Sequence, residues 1–163
     1  MIGVELERIG NDRIAVLGAS VTDGYFPHPD PETLDGKRFV PGDIVEWSGA
    51  TFRLVGRVSD IVNVAGKKVH PSIVEEHLRK FPGVMDVIVF GVPSHTRNED
   101  LIAYVVGKQD LSRQALETHC RAGLSTWQVP RNIQVVESLP TNERGKISRA
   151  ELAKRYLEGR NAL

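Results

Sequence analysis

The sequence predicts an α+β protein that consists of a small β lobe followed by a compact domain with a three-stranded sheet and about three helices. Three observations lead to this class. Residues 1–58 hold short apolar runs interrupted by Gly, Pro, Asp and Asn, which is typical of strands joined by turns. Residues 59–163 contain longer apolar runs and apolar residues at helical spacing. The length of 163 residues suffices for one sound core and an additional β lobe.

Four strands are predicted in the β lobe, over residues 4–6, 14–17, 43–47 and 51–55. The last two are separated by Ser-Gly-Ala, which favours a turn. The stretch between the second and third strands is rich in Pro, Asp and Gly, so we expect a long surface loop over residues 22–42.

Helices in the second domain are predicted from capping signals and apolar spacing. Ser72 followed by Glu75 is a capping box, which indicates a helix over residues 72–80. A second apolar stripe with helical spacing covers residues 111–123 and ends on a glycine. The last helix follows another capping box, which begins at Ser148.

Three strands are predicted between these helices. Residues 85–92 and 101–106 are nearly continuous apolar runs, which is consistent with strands covered on both faces. Residues 133–135 alternate between apolar and polar and predict the third strand. Trp127 is expected to pack within this domain.

Composition excludes several classes of protein. Lys plus Arg and Asp plus Glu number 21 each, so no net charge favours nucleic acid or an anionic membrane. The single Cys120 excludes an internal disulfide, and the start of the chain lacks a basic region followed by an apolar run, so we expect a cytoplasmic protein. No apolar stretch approaches the roughly 20 residues of a membrane span.

Two histidines, His70 and His77, lie seven residues apart and are considered as metal ligands. No further Cys or His stands at ligand spacing from them, so we expect no metal site there. Both are interpreted as helix-entry and surface residues.

A candidate anion site is indicated at Lys146. This lysine lies just before the predicted cap Ser148, so its ammonium and the positive end of the following helix could face one anion. A Walker phosphate loop is excluded, because Pro140 stands where that motif requires Gly. The alternative is a solvated loop lysine.

Two segments together resemble a known family. Residues 56–69, which read Gly-Arg-Val-Ser-Asp-Ile-Val-Asn-Val-Ala-Gly-Lys-Lys-Val, resemble the hinge region of the adenylate-forming superfamily. Residues 140–149, which read Pro-Thr-Asn-Glu-Arg-Gly-Lys-Ile-Ser-Arg, resemble its lysine loop. Members of the superfamily activate a carboxylate with ATP and then transfer the acyl group to a thiol. The ending Ile-Ser-Arg is more similar to acyl- and aryl-CoA synthetases than to peptide-synthetase domains.

The resemblance implies roles for the adenylation step. Lys146 corresponds to the catalytic lysine, which would stabilise negative charge that develops on the α-phosphate. Asp43, in Pro-Gly-Asp where the family usually has Thr-Gly-Asp, would bind the ribose hydroxyls. Arg57 would contact the nucleotide; alternatively it pairs with a neighbouring acid. ATP, accompanied by Mg²⁺ that no motif of this chain binds, and coenzyme A are the implied cofactors.

The resemblance also implies a two-conformation cycle. Ser59 and Asp60 correspond to the hinge about which the C-terminal domain swings, although the family usually places Asp or Lys where Ser59 stands. Residues 65–68 (Ala65, Gly66, Lys67 and Lys68) would then line the pantetheine tunnel, and a lysine there could meet a CoA phosphate. An ordinary hairpin turn with solvated lysines is the alternative.

The expected function is that of the C-terminal fragment of an ATP-dependent carboxylate:CoA ligase, inactive alone. Residues 1–58 would be the end of the large N-terminal domain and residues 59–163 the mobile C-terminal domain. No Ser/Thr/Gly-rich phosphate loop ending in Pro-Lys-Gly occurs in the sequence, so the N-terminal domain would be missing. Two alternatives stay open: an adenylation domain that loads a carrier protein, and a non-catalytic module that binds or complements a partner. The carboxylic acid is not indicated by the sequence.

Overall fold

The computed structural model describes residues 3–10, 12–25, 27–28, 30–108, 110–141 and 146–161. Two compact units are present, Met1–Ser59 and Asp60–Leu163. Helices and strands occur together as the sequence predicts, so the α+β class is confirmed. That the first unit is the end of a larger domain stays a prediction.

The first unit consists of strands. They are β1 (Val4–Ile9), β2 (Arg13–Gly18), β3 (Leu34–Asp35), β4 (Arg38–Phe39), β5 (Asp43–Ser48) and β6 (Thr51–Arg57). The first four form an antiparallel sheet in the order β1-β2-β4-β3, and β5 pairs with β6 in a hairpin. All four predicted strands are present, and the predicted loop over 22–42 contains the two additional short strands. The buried core residues of the first unit are Ile14, Ala15, Leu34, Ile44 and Val45.

The second unit follows a short 3₁₀ helix, Val58–Asp60, that spans the boundary between the units. Its elements are β7 (Val62–Val64), β8 (Lys67–Val69), α1 (Pro71–Arg79), β9 (Val84–Ser94), β10 (Asn98–Gly107), α2 (Arg113–Gly123), β11 (Asn132–Val136) and α3 (Arg149–Asn161). Strand β10 pairs with β9 antiparallel and with β11 parallel.

The sheet of the second unit has five strands, whereas three were expected. The three expected strands are β9, β10 and β11. The other two, β7 and β8, form a hairpin that joins β10 at the pair Asn98 and Val64. Each of these strands is only three residues long, which is too short for a clear alternation of apolar and polar residues.

Strand β9 separates two hydrophobic clusters, as its continuous apolar run predicts. Val87 and Val89 belong to the first core, which includes buried residues of α1 and α2. Ile88 and Phe90 belong to the second core, which includes Leu152 of α3. Because successive side chains of a strand point to opposite faces, both faces of the sheet are covered by helices.

One predicted capping box is wrong, and the serine half of the other is present. Helix α1 begins at Pro71 after the N-cap His70, which makes no side-chain capping bond. Glu75 instead points into the protein, where its Oε1 accepts the Val89 N–H at 2.9 Å. At the start of α3 the Ser148 hydroxyl does accept the Glu151 N–H, at 3.4 Å.

His77 is half-buried, which corrects the expectation of a surface residue. Its ring stacks on His119 of α2, with centroids 4.2 Å apart. Each ring places Nε2 3.0 Å from the backbone carbonyl of the other histidine. A Cβ at Gly123 would lie only 2.2 Å from the His77 ring, so α1 and α2 approach closely because that position has no side chain.

Among the described residues, no helix is both long and apolar enough to cross a membrane.

Candidate functional site

Asp43 and Arg57, the two predicted nucleotide contacts, lie side by side. They are partners in the β5–β6 register, at the first and last residues of the hairpin. The Arg57 Nε donates to Asp43 Oδ1 at 3.2 Å, and both side chains reach solvent. The alternative expectation for Arg57, an ion pair with a neighbouring acid, is therefore confirmed. That acid is Asp43, the other predicted nucleotide contact.

The turn before Asp43 is held by backbone contacts. Arg13 Nη2 donates to the carbonyl of Pro41 at 2.8 Å, and the Val58 N–H donates to the carbonyl of Gly42 at 2.8 Å. An exposed ion pair contributes only about 0–1 kcal/mol to stability. The Asp43 carboxylate is therefore positioned by its backbone, and its oxygens can accept hydroxyl hydrogen bonds from a ligand.

The two predicted hinge residues differ in their surroundings. Ser59 is exposed and ends the first unit. Asp60 begins the second unit, and its Oδ2 lies 2.7 Å from Arg149 Nη1. The carboxylate of Asp60 is thus bonded to the body of the second unit. Whether either residue serves as a hinge stays a prediction.

Residues 65–68 form the turn of the β7–β8 hairpin and the beginning of β8. Val64 pairs with Lys67, so Ala65 and Gly66 alone make the turn. Both have positive φ, 50° and 80°, which is typical of a two-residue type I′ turn. The Ala65 N–H donates to the carbonyl of Arg97 at 2.7 Å, which fixes this turn against the start of β10. The hairpin alternative is therefore correct in geometry, while a role in thiol binding stays a prediction.

Lys67 and Lys68 are both exposed. The Lys67 ammonium lies 5.8 Å from the centroid of the Trp127 ring, within the range of a cation–π contact. Trp127 keeps 38% of its surface exposed, so it is not the packed residue that we expected.

Lys146 is exposed and lies three residues before the start of α3. Asn142–Gly145 of the predicted lysine loop lie outside the described residues. The chain is anchored immediately after the lysine, since Ile147 packs against the second core and Ser148 caps α3. The ammonium therefore extends from a fixed backbone near the N-terminus of a helix, where an anion is favoured.

Arg149 is the functional candidate that sequence reasoning missed, although it ends the quoted motif. Its guanidinium donates to Val89 O at 2.9 Å, to Asp60 Oδ2 at 2.7 Å and to Glu75 Oε1 at 2.8 Å. These partners are far apart in the sequence. The available signal was that this arginine is the last residue of the motif over residues 140–149. The spacing of the motif does not indicate which residues bind it.

Cys120 is not a candidate nucleophile. The thiol is buried in the first core. Burial, with a smaller contribution from the negative charge of Glu117, raises its pKa to about 11. It therefore stays protonated near neutral pH, which is the unreactive form of a thiol.

A cavity of about 400 Å³ in the second unit is rich in arginine. Its charged lining residues are Arg97, Arg113, Glu117, Arg121 and Arg131. Glu117 accepts a 2.8 Å bond from Arg113, so it offsets one of the four positive charges. Within the described part of the chain, no group of three or more His, Cys, Asp or Glu residues could hold a metal ion.

Comparison with known proteins gives one family match. The family model for the AMP-binding enzyme C-terminal domain matches residues 73–146. The segment therefore includes most of helix α1, the strands β9, β10 and β11, and Lys146.

Curated relatives are CoA ligases. A long-chain-fatty-acid–CoA ligase of Escherichia coli O6:H1 is 34% identical over 143 residues, which cover 85% of this chain and 26% of the relative. A 2-succinylbenzoate–CoA ligase of Staphylococcus aureus is 28% identical, over 88% of this chain and 30% of the relative. The chain thus spans less than a third of the length of these two relatives.

A solved structure shows the same fold over both units. ATP-bound MatB from Rhodopseudomonas palustris matches 96% of this chain and 34% of its own, with a TM-score of 0.84 and 25% identity.

Proposed function

This chain belongs to the adenylate-forming enzymes, whose C-terminal domain it contains, and we propose that it is the C-terminal part of an ATP-dependent carboxylate:CoA ligase. In the first half-reaction a carboxylate oxygen would attack the α-phosphorus of ATP, forming an acyl-adenylate and releasing pyrophosphate. In the second, a thiol would attack the acyl carbon and release AMP. The observation that carries this proposal is the family match that ends on Lys146.

Lys146 would act in the first half-reaction. Negative charge on the oxygens of the α-phosphate grows as the carboxylate attacks, and an ammonium fixed beside them stabilises that state more than the bound substrate. The anchored backbone after Lys146 supports this role, since electrostatic stabilisation requires a charge that is already in position.

Asp43 and Arg57 would bind the nucleotide. The carboxylate can accept both ribose hydroxyls, and the guanidinium suits the phosphate side. Their mutual bond at 3.2 Å supports a common site, because it brings an acceptor and a cation to one end of the hairpin. Mg²⁺ would accompany ATP, and among the described residues no cluster of three or more His, Cys, Asp or Glu could hold it.

The Ala65–Lys68 turn would serve the second half-reaction after rotation about Ser59. A glycine at the turn tip leaves room for a thin thiol arm, and a Cβ at Gly66 would meet nothing within 4 Å in the free chain. The two lysines beside it are exposed and could meet a phosphate.

Free CoA is favoured over a carrier protein as the acceptor. CoA carries several phosphate charges, and the arginine-rich cavity offers guanidinium groups that bind phosphate by paired hydrogen bonds. A carrier-bound arm has a single phosphodiester and less need of this arginine cluster, in which Arg113 and Arg97 already pair with Glu117 and Asp100. A non-catalytic module is less favoured, since a scaffold has no need of Lys146, Asp43 and Arg57 together.

ATP–pyrophosphate exchange across a panel of carboxylic acids tests the proposal, with the intact enzyme that contains this chain. We expect exchange with at least one acid, and CoA-dependent AMP release with the same acid. Exchange with none of the acyl, aryl and dicarboxylic acids tested would contradict the proposed ligase.

A further inference from the structure

We propose that Arg149 is a positioning residue that holds Lys146 in place for the adenylation step. The inference rests on the function proposed above. It adds a role for a residue to which neither the family match nor the motif chemistry assigns one.

The guanidinium of Arg149 joins three separate parts of the second unit. Its Nε donates to the Val89 carbonyl of β9, its Nη1 to Asp60 at the start of the unit, and its Nη2 to Glu75 of α1. All three contacts are between 2.7 and 2.9 Å. Since the guanidinium is planar and rigid, three such bonds fix both its position and its orientation.

Glu75 restrains this three-bonded guanidinium, the Arg149 anchor. Its side chain is only 6% exposed, and Oε1 accepts both the Arg149 Nη2 and the Val89 N–H. A carboxylate buried to that extent strongly resists the loss of a cation that is bonded to it. Arg79, the other cation nearby, is 3.8 Å away and is itself half exposed.

Lys146 lies three residues before this anchor. Arg149 is the first residue of α3, so its three bonds hold the start of that helix against β9 and α1. Ile147 and the Ser148 cap transmit this fixed position to the lysine. A displacement of about 1 Å at a catalytic group can cost about 10²-fold in rate, which is the size of effect that the loss of this anchor should produce.

A purely structural role is the competing explanation. Arg149 could simply neutralise the buried Glu75, in which case its loss would weaken the whole unit. The two explanations differ in kinetics. A positioning residue affects only the step that uses Lys146, and it has no further effect once the lysine is gone.

The test uses the intact enzyme and the acid that gives the fastest ATP–pyrophosphate exchange. The variants are Arg149→Gln, Arg149→Lys, Lys146→Ala and the double variant Lys146→Ala with Arg149→Gln. Arg155→Gln is the matched control, because Arg155 is on the same helix and pairs with the exposed Glu151. Exchange measures adenylation, and CoA consumption from supplied acyl-adenylate measures thioester formation.

We expect Arg149→Gln to reduce exchange by about 10²-fold and thioester formation by less than about 3-fold. The double variant should be no slower than Lys146→Ala alone. Arg149→Lys should recover only part of the loss, since an ammonium cannot make three fixed bonds of this geometry. Asp60→Asn, which keeps the Glu75 bond and the shape of the side chain, should give a smaller loss in exchange than Arg149→Gln.

Several results would overturn the inference. One is equal loss in both half-reactions by Arg149→Gln in enzyme whose circular dichroism is unchanged. Another is a double variant whose loss is the product of the two single losses. A parent enzyme with no exchange would instead reject the proposed function, so the two failures are distinguishable.

Discussion

The Arg57 Nε lies 3.2 Å from Asp43 Oδ1, and the two residues face each other across the β5–β6 hairpin. Because the register of the hairpin decides this pairing, a slip by one residue would send the two side chains to opposite faces. The contact is exposed and contributes little to folding. Under the proposed function, a bound nucleotide would compete for the same carboxylate and guanidinium.

Asp43→Ala should raise the KM for ATP about 10- to 100-fold in the intact enzyme, because it removes hydrogen bonds to a charged acceptor. The free energy of unfolding should change by less than about 1 kcal/mol, as expected for one exposed pair. Glu46→Gln is the control, since Glu46 is on the same strand and pairs with Arg53 at 2.6 Å in another exposed pair. An unchanged KM in the Asp43 variant would remove Asp43 from the nucleotide site.

Much of the fold could be predicted because it depends on local patterns. The apolar run of β9 predicts a strand covered on both faces, and Ser148 caps α3 as its spacing indicates. Glu75 shows where local patterns fail. The capping box at Ser72 predicted a local bond for Glu75, but its carboxylate instead bonds to β9 and to Arg149, 74 residues later.

The contacts of Arg149 could not be predicted, for the same physical reason. Asp43, Arg57 and Lys146 could be suggested because the sequence around them resembles motifs of the adenylate-forming family. The role of Arg149 depends on a tertiary arrangement that gathers Asp60, Glu75 and Val89 around one side chain. No periodicity or spacing in the sequence contains that information.

Lys146→Ala should reduce ATP–pyrophosphate exchange by roughly 10²- to 10³-fold, the usual cost of one electrostatic group at the reacting centre. Thioester formation from supplied acyl-adenylate should be much less affected, because the lysine would have left the nucleotide after rotation. Lys154→Ala is the control, since Lys154 is an exposed lysine of α3 that pairs with Glu158. Equal losses in both half-reactions would show that Lys146 does not act in adenylation alone.

The isolated 163-residue chain should form no acyl-adenylate and should bind ATP weakly. The reason is that it spans 26% and 30% of two curated ligases that it resembles, so most of a ligase of that length lies outside it. Titration calorimetry with ATP measures the affinity. Micromolar binding, or acyl-adenylate formation by this chain, would contradict the proposal that essential parts lie elsewhere.

Gly123→Ala should destabilise the chain by roughly 1–3 kcal/mol, although alanine is the better helix former. A Cβ there would lie 2.2 Å from His77, whose ring is held by its stack on His119 and by a carbonyl contact. Gly159→Ala provides the opposite control, because Gly159 is in α3 and a Cβ there meets nothing within 4 Å. That substitution should stabilise by up to about 1 kcal/mol. Urea unfolding of both variants measures the difference, and two changes of the same sign would disprove the close packing of α1 on α2.

Gly66→Leu should block thioester formation in the intact enzyme while ATP–pyrophosphate exchange persists. Gly66 has a φ of 80°, so any side chain there strains the turn, but a Cβ has no neighbour within 4 Å. Gly66→Ala is therefore the matched control, since it imposes the same backbone strain with little bulk. If the turn enters the site only for the second half-reaction, Leu should reduce CoA transfer far more than Ala does, and neither should slow exchange. The charge of the turn is the same in both variants, so a change in phosphate attraction cannot explain a difference between them.

Equal CoA transfer by the two variants would show that the thiol arm does not pass this turn. Loss of exchange in the Leu variant, with its circular dichroism unchanged, would show that the turn takes part in both steps and that the two-conformation cycle is wrong.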